Sequence, residues 1–354
     1  MLQHQHCRHL LAVAVASVVY FVCIATSRAD GPYHFLKEIP VGGEGGWDYL
    51  SVDQAARRLY VSHGTKVVVI DIDKEEIAGE IADTPGVHGI ALAPDLQRAF
   101  TSNGQESKAS IVDVTSLKTL SKVDTDKNPD AILYDPAQRE VYTFNGRGKS
   151  ATVFDAKTGN VITNIALPGR PEFAAVDPKA GRVYDNIEDQ SVVVAIDTKT
   201  HQIVNTWPIA PGEEASGLAI DTVHHRLFAG CHNKLMVMID TTTGKVVATV
   251  PIGDGVDANA FDPGTQFAFS SNGDGTVTIA HEDSPDKLTV VQQLVTERRA
   301  RTMALDPVTH KIYLASAKFE AQPPADPGAP RQRPKIIPGS FKILVYGIDK
   351  SADH

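Results

Sequence analysis

The sequence predicts an all-β fold, a seven-bladed β-propeller that is closed by an outer strand from near the N-terminus. A motif in which an aromatic residue is followed by small or polar residues recurs seven times, at spacings of 40 to 44 residues. A repeat of this length, built from short strands, is typical of propeller blades, each of which is a four-stranded sheet. The aromatic markers of the seven repeats are Tyr60, Phe100, Tyr142, Tyr184, Phe228, Phe269 and Tyr313.

The third repeat shows how four strands fit into one period. An apolar segment at 130–134 predicts the first strand, and alternating residues at 140–144 predict the second. Segments 151–154 and 161–166 complete the sheet, and Gly159 lies in the turn between them. Glycine suits such a turn because it adopts positive φ without steric cost.

The last repeat lacks its fourth strand, because the chain ends soon after the third strand at 342–346. Segment 35–42 matches the pattern of the fourth strand at 247–253. We therefore predict that the N-terminal segment joins the last blade and closes the ring, which leaves no long exposed sheet edge.

Residues 1–29 have the pattern of a secretory signal peptide. Arg8 precedes an apolar run at 10–25, and Ser27 and Ala29 provide small residues for cleavage. The run is short for a membrane span, although an uncleaved anchor is the alternative. We expect a propeller domain at 30–354, a periplasmic or secreted location and no membrane span after cleavage.

Composition narrows the classes of partner. Removing residues 1–29 changes the formal net charge from −9 to −11, which argues against a nucleic-acid partner. One of the three cysteines, Cys231, remains, so no internal disulfide is expected in an exported monomer. A buried, inert thiol is the first reading of Cys231 and a nucleophile is the alternative.

Two rings of residues emerge when the repeats are aligned on their markers. The first ring, twelve residues before each marker, consists of Asp48, His88, Asp130, Glu172, Ser216, Asp257 and Arg301. The second ring, three residues after each marker, consists of His63, Asn103, Asn145, Ile187, Cys231, Asn272 and Ser316. The innermost strands of a propeller line a central channel, so these positions are expected to meet at one mouth of it. Converging polar groups in a concavity predict a ligand-binding funnel formed by Asp48, His63, His88, Asn103, Asp130, Asn145, Glu172, Ser216, Asp257, Asn272 and Arg301.

The cofactor is unknown from the sequence, but a divalent cation is a candidate. Asp48, His63 and His88 come from neighbouring repeats, and this ligand set suits a transition metal. An oxygen-rich site at Asp130 and Glu172, with Asn145 or Asp257, would suit Ca²⁺ or Mg²⁺. A water-filled mouth without a ligand, with asparagines that only form turns, is the remaining alternative.

A proline-rich insertion at 318–340 separates the second and third strands of the last repeat. Its composition disfavours strand and helix, and a long loop of this kind is either functional or disordered. It leaves the same face as the two rings, so it could cover the funnel.

The repeats resemble the YVTN family of β-propellers, and the mature chain resembles its exported, YncE-like members. The resemblance rests on LYVSHG, AFTSNG, VYTFNG, VFDAKTG and VMIDTTTGKVVATVPIG, and spans about residues 33 to 349. It implies an exported seven-bladed propeller that binds rather than catalyses. Similar folds include lactonases and the non-catalytic heavy chains of quinoprotein amine dehydrogenases.

Three functions follow. The first is an exported binding or scaffold propeller whose acidic funnel binds a small ligand, a metal or a partner protein. The second is a metal-assisted lactonase-type hydrolase, in which a cation held by Asp130, Glu172 or Asp257 polarises a carbonyl and His88 or an acidic residue moves protons. The third is a non-catalytic subunit of a periplasmic redox complex.

Overall fold

The computed structural model describes residues 31–320 and 334–348, which form seven four-stranded antiparallel sheets arranged in a ring. The first strands of consecutive sheets contact one another, and the strand that begins at Trp47 also contacts the one that begins at Met303. These first strands therefore surround the centre of the ring. The predicted seven-bladed propeller is confirmed.

Each blade contains strands A to D, from the centre outward. The innermost A strands are β2 (Trp47–Asp53), β6 (Val87–Ala93), β10 (Pro129–Asp135), β14 (Pro171–Asp177), β18 (Ala215–Asp221), β22 (Val256–Asp262) and β26 (Met303–Asp306). The B strands are β3 (Arg58–His63), β7 (Arg98–Asn103), β11 (Glu140–Asn145), β15 (Arg182–Ile187), β19 (Arg226–Cys231), β23 (Phe267–Asn272) and β27 (Lys311–Ser316). The C strands are β4 (Lys66–Asp71), β8 (Lys108–Asp113), β12 (Ser150–Asp155), β16 (Val192–Asp197), β20 (Leu235–Asp240), β24 (Thr276–Ser284) and β28 (Lys342–Ile348). The outermost D strands are β5 (Glu76–Ile81), β9 (Lys118–Asp124), β13 (Val161–Ala166), β17 (Gln202–Pro208), β21 (Val246–Pro251), β25 (Lys287–Val295) and β1 (Tyr33–Pro40). Two 3₁₀ turns, Pro94–Leu96 and Glu188–Gln190, complete the regular structure of the described residues.

Aspartates terminate six of the seven A strands and shape the turns that follow. Asp135 Oδ1 accepts the N–H of Ala137 at 2.9 Å, and Asp177 Oδ1 accepts those of Lys179 and Ala180 at 3.0 Å. The side chain thus replaces a backbone acceptor within the turn. The same contact is made by Asp53, Asp221, Asp262 and Asp306.

The core lies between the blades rather than within one central volume. The buried apolar residues form seven clusters, and each cluster combines side chains of two neighbouring blades. Each aromatic marker belongs to a different cluster, and each is at most 2% exposed. The aromatic marker of each repeat is therefore buried in one of the seven interfaces between blades.

The ring closes through β1, which pairs with β28 from Tyr33↔Ile348 to Pro40↔Lys342. The predicted closing segment is thus confirmed, two residues earlier than expected. Ile39 of β1 is 3% exposed and packs in the cluster between the first and last blades. The N-terminal strand is consequently an integral part of that interface.

The structure bears only in part on the predictions for the signal peptide, the insertion, membrane spans and Cys231. The signal peptide predicted at 1–29 lies outside the described residues, and so do residues 321–333 of the insertion. Across 31–320 and 334–348 the chain contains no helix with the length and apolar character needed to cross a membrane. Cys231 is fully buried, and burial raises the pKa of its thiol to about 12. An inert thiol is consistent with that environment.

Ring closure by β1 can be tested with two truncations on the same strand. Ile39→Ala should lower the free energy of unfolding by about 2–5 kcal/mol, since it opens a cavity in a buried interface. Phe35→Ala should cost only about 1 kcal/mol, because Phe35 is 53% exposed and contacts mainly Tyr346. Denaturant unfolding of both variants measures the difference, and equal costs would contradict the role assigned to β1.

Candidate functional site

A β-bulge in the A strand positions the first ring of residues. In the third blade the pairing runs from Pro129↔Asn145 to Ile132↔Thr143, so two residues, Asp130 and Ala131, lie opposite one. The register shifts at the equivalent place in the other blades up to the sixth. A first-ring residue therefore follows directly the residue that pairs with the second ring. This pairing explains the constant spacing of 15 residues between the rings.

In the second, fourth and sixth blades, a side chain of the B strand contacts the first-ring residue of the next blade. Ser102 Oγ accepts the N–H of Gly89 at 2.8 Å and donates to the carbonyl of Asp130 in the following blade. Asn186 Nδ2 donates to the carbonyl of Ser216 at 3.1 Å in the same way. These residues lie two positions after the aromatic marker, where a polar residue in an otherwise apolar strand was a signal that the sequence analysis missed.

Asp48, His88 and Asp130 form the most compact part of the site. His88 Nδ1 lies 2.7 Å from Asp48 Oδ2 and 3.6 Å from Asp130 Oδ1. Burial disfavours the charged imidazole, but the hydrogen bond to Asp48 and the charge of Asp130 outweigh it and raise the pKa of His88 to about 9. His88 is therefore an imidazolium at neutral pH while no other cation is bound.

Glu172 and Asp257 extend this acidic group around the ring. Burial, reinforced by Asp130, raises the pKa of Glu172 well above its usual range. Burial also raises the pKa of Asp257, although Arg301 lies 3.1 Å from its carboxylate and opposes the rise. The Ser216 hydroxyl donates to the Asp257 carboxylate, so all seven residues of the first ring join in one polar surface.

Tyr49 occupies the middle of these carboxylates. Its hydroxyl donates to the carbonyl of Glu172 at 3.0 Å, and its ring packs on Phe173 at 5.1 Å between centroids. Burial, then the charges of Asp130, Glu172 and Asp48, raises the pKa of this phenol. The equivalent residues of the other blades are small: Gly89, Ala131, Gly217, Ala258 and Thr302. Two aromatic residues among five small ones were visible in the sequence and were not used.

The second ring turns away from the funnel. His63, predicted as a metal ligand, lies 3.2 Å from the carbonyl of Gly46 and 3.1 Å from that of Gly42 through its two ring nitrogens. Its ring stacks on Phe341 at 4.3 Å, and burial lowers its pKa. The structure therefore brings Asp48 and His88 together with Asp130 and places His63 apart.

The asparagines of the second ring are fully buried within their own blades. Asn103 Nδ2 donates to Ser110 Oγ at 2.8 Å, and Asn145 Nδ2 donates to Thr152 Oγ1 at 3.0 Å. Asn272 makes the same contact with Thr278. These amides fasten strand B to strand C, so they shape the funnel indirectly and do not face a ligand.

One side of the funnel opens into a cavity of about 760 Å³. Its walls include Trp47, Asp48, His88 and three basic residues, Lys127, Arg147 and Arg301. The volume suits a small molecule. Asp48 and His88 connect this cavity to the carboxylates of the funnel, and the three basic residues form another part of its wall.

The described stem of the insertion lies beside this cavity. Phe319 bridges to Ile336, and Glu320 N donates to the carbonyl of Lys335 at 2.8 Å. The Phe319 ring lies 6.1 Å from that of Trp47, between centroids. The stem is therefore anchored on the funnel face, in agreement with the predicted place of the insertion.

Comparison with known proteins establishes the fold alone. No protein-family model matches the chain, and no curated protein matches it, so the resemblance to the YVTN family remains a prediction. The chain is similar to a chain of Kuenenia stuttgartiensis hydrazine synthase, at 16% identity and a TM-score of 0.67, over 83% of this chain and 96% of that one. It is also similar to the structure of U3-55K (8% identity, TM-score 0.72, covering 87% and 97%) and to the WD40 repeats of RRP9 (8%, 0.73, 87% and 96%).

The raised pKa values predict a stability that falls as the pH rises. Between about pH 4, where ordinary carboxyl groups ionise, and about pH 9, the pKa of His88, the folded state holds protons that the unfolded chain releases. Glu172→Gln removes one such proton site, so its Tm at pH 9 should exceed that of the wild type by about 2–4 °C. At pH 4 the two should agree.

Glu80→Gln is the matched control, because Glu80 lies on the outer surface and pairs with Lys66. Calorimetry from pH 4 to pH 9 measures all three proteins. A Glu172→Gln variant whose Tm depends on pH in the same way as that of Glu80→Gln would contradict the assignment.

Proposed function

We propose that this chain is an exported binding propeller whose acidic funnel holds a small cationic ligand, either a divalent cation or an organic amine. One observation carries the proposal: Asp48, Asp130, Glu172 and Asp257, from four blades, converge around the Tyr49 hydroxyl. The binding role is consistent with the fold, and the cationic ligand is inferred from the charges described here.

The carboxylates exceed the cations that accompany them. His88 is shared by Asp48 and Asp130, while Arg301 and Arg170, which lies 3.5 Å from Glu172, are about half exposed. Two carboxylates about 8 Å apart repel by roughly 2 kcal/mol at an effective dielectric of 20. Protons relieve this repulsion in the free protein, and a bound cation would relieve it without them.

Replacement of protons by a bound cation can be measured, because it makes the affinity depend on pH. A cation that binds at Asp130 lowers the proton affinity of Asp130 and His88, so protons are released on binding. Affinity should therefore increase from pH 6 to pH 8.5, and an amine that itself remains charged should show the same trend. A ligand attracted only to the exposed surface would release few protons.

Asp130→Asn tests the site. Titration calorimetry with Mn²⁺, Ca²⁺ and 1,4-diaminobutane, each in two buffers of different ionisation enthalpy, measures affinity and proton release. At least one probe should bind the wild type with proton release and bind Asp130→Asn at least about tenfold more weakly, a loss of roughly 1.4 kcal/mol.

Asp124→Asn is the matched control, since its carboxylate is 85% exposed and pairs with Lys108 on an outer strand. Its binding should equal that of the wild type. An equal loss in both variants, or no binding of any probe, would contradict the proposal. Turnover of a lactone panel that requires a divalent cation and Asp130 would instead favour the hydrolase alternative.

A second candidate, a non-catalytic subunit of an exported redox complex, is favoured by the similarity to a chain of hydrazine synthase. That likeness shows a shared fold, so this candidate rests on analogy. Cross-linking of the tagged chain in its native extract, followed by identification of partners that contain haem or flavin, tests it. Recovery of the chain alone would argue against it.

A further inference from the structure

A second cluster of ligating side chains lies at the opposite end of the ring from the funnel. Asp221 and His224 belong to the turn between β18 and β19 of the fifth blade, and Glu282 belongs to β24 of the sixth. His224 Nδ1 lies 2.7 Å from Asp221 Oδ2 and 3.3 Å from Glu282 Oε1. One ligand atom from each residue falls within 4.8 Å of the others. The cluster therefore bridges two blades.

Glu282 provides independent evidence that the cluster binds something. Its side chain is 0% exposed and its carboxylate lies against Asp221 and His224, with His224 Nδ1 3.3 Å from Oε1, yet neither oxygen accepts a well-directed hydrogen bond from residues 31–320 or 334–348. Asp221 is 3% exposed and uses Oδ1 for the N–H of Val223 at 2.8 Å, which leaves Oδ2 directed at the cluster. Buried carboxylates without hydrogen bonds are costly unless they are paired or coordinate a metal.

The residues at these positions differ from those of the other blades. The backbone N–H of Glu282 donates to the turn between strands A and B of its blade. The residues that make the same contact elsewhere are apolar or carry a hydroxyl: Ile72, Val114, Ala156, Thr198 and Thr241. Three residues after the strand-ending aspartate, the histidine of the fifth blade is matched by Ala56, Gln138, Ala180, Thr265 and Thr309. The two exceptional residues occur in adjacent blades and meet.

We propose that Asp221, His224 and Glu282 bind a divalent transition-metal ion of the Zn²⁺ class and so clamp the fifth blade to the sixth. Imidazole nitrogen and carboxylate oxygen are both ligand types that Zn²⁺ accepts, and water can fill the fourth position. Tetrahedral coordination at about 2.0–2.1 Å separates ligand atoms by about 3.3 Å. The distance between His224 and Glu282 matches this separation, whereas Asp221 Oδ2, at 2.7 Å from His224 Nδ1, would move outward when the ion binds. The two negative charges balance the ion, and the partial exposure of His224 (31%) provides access for it.

Arg226 stabilises the turn that carries His224. Its Nη1 donates to the carbonyls of His224 and His225 at 3.0 Å, and its Nη2 contacts Asp286 of the sixth blade at 3.0 Å. Its charge is balanced by Asp286 and by Asp240 at 3.1 Å. The two blades are thus already held in register where the ion would bind.

Metal analysis of four proteins tests the proposal: the wild type, Glu282→Gln, His224→Gln and the funnel variant Asp130→Asn. Each is purified without chelator or affinity metal, dialysed against micromolar Zn²⁺ and measured by mass spectrometry. Glu282→Gln and His224→Gln should each hold one equivalent less than the wild type, and Asp130→Asn should keep that equivalent, whether or not the funnel of the wild type binds a second ion. Zn²⁺ should also raise the Tm of Asp130→Asn, and it should raise the Tm of the wild type by more than the Tm of Glu282→Gln or His224→Gln.

The variants separate this site from the funnel, so failure of one proposal does not decide the other. Glu282→Gln removes a buried charge and keeps the shape, so its metal-free Tm should equal or exceed that of the wild type. Visible absorption of bound Co²⁺ gives a second readout of the histidine and carboxylate ligands. Equal metal content in the wild type and Glu282→Gln, zero included, would overturn the proposal, as would loss of the metal in Asp130→Asn alone.

Discussion

The structure depends on the burial of both faces of every blade. A four-stranded sheet exposes two apolar faces, and each is covered here by one neighbour, through a cluster that contains one aromatic marker. The coverage is complete only in a closed ring, because an unpaired last blade would expose a face and an edge. Closure by β1 therefore supports all seven interfaces, and it also directs every A strand to the centre, where the funnel forms.

The sequence was sufficient for this architecture because each blade repeats the same physical solution. The period identified the blades, the strand-ending aspartates identified the turns, and the similarity of the N-terminal segment to an outer strand identified the closure. It also brought Asp48, His88 and Asp130 into one group, since residues at one repeat position must lie at one height in the ring. A repeat thus predicts which end of a strand a residue occupies.

The repeat does not predict the direction of a side chain. His63 and Asn145 lie at the same height as Asp48 and Asp130, but neither points to the centre. Asn145 is bonded within its own blade, and His63 packs against Gly42 and Phe341 beside the last blade. The first-ring residues lie in a bulge, which re-aims them toward the centre. A bulge depends on pairing between strands and on bonds such as Ser102 to the next blade. The Asp221, His224 and Glu282 cluster was missed for the same reason, because it forms only when two blades are placed side by side.

Both acidic clusters combine two carboxylates with one imidazole, but their surroundings differ in a way that determines how charge is balanced. At the funnel, Asp48, His88 and Asp130 are each 22–30% exposed, so protons and ligands can exchange with solvent. At the opposite end, the Glu282 side chain is 0% exposed and burial raises its pKa to about 7, so either a proton or a bound cation balances its charge. An exchangeable site fits reversible binding, whereas an enclosed site between blades fits a structural ion. Under the two proposals, the same chemistry would serve ligand recognition at one end of the ring and cohesion between blades at the other.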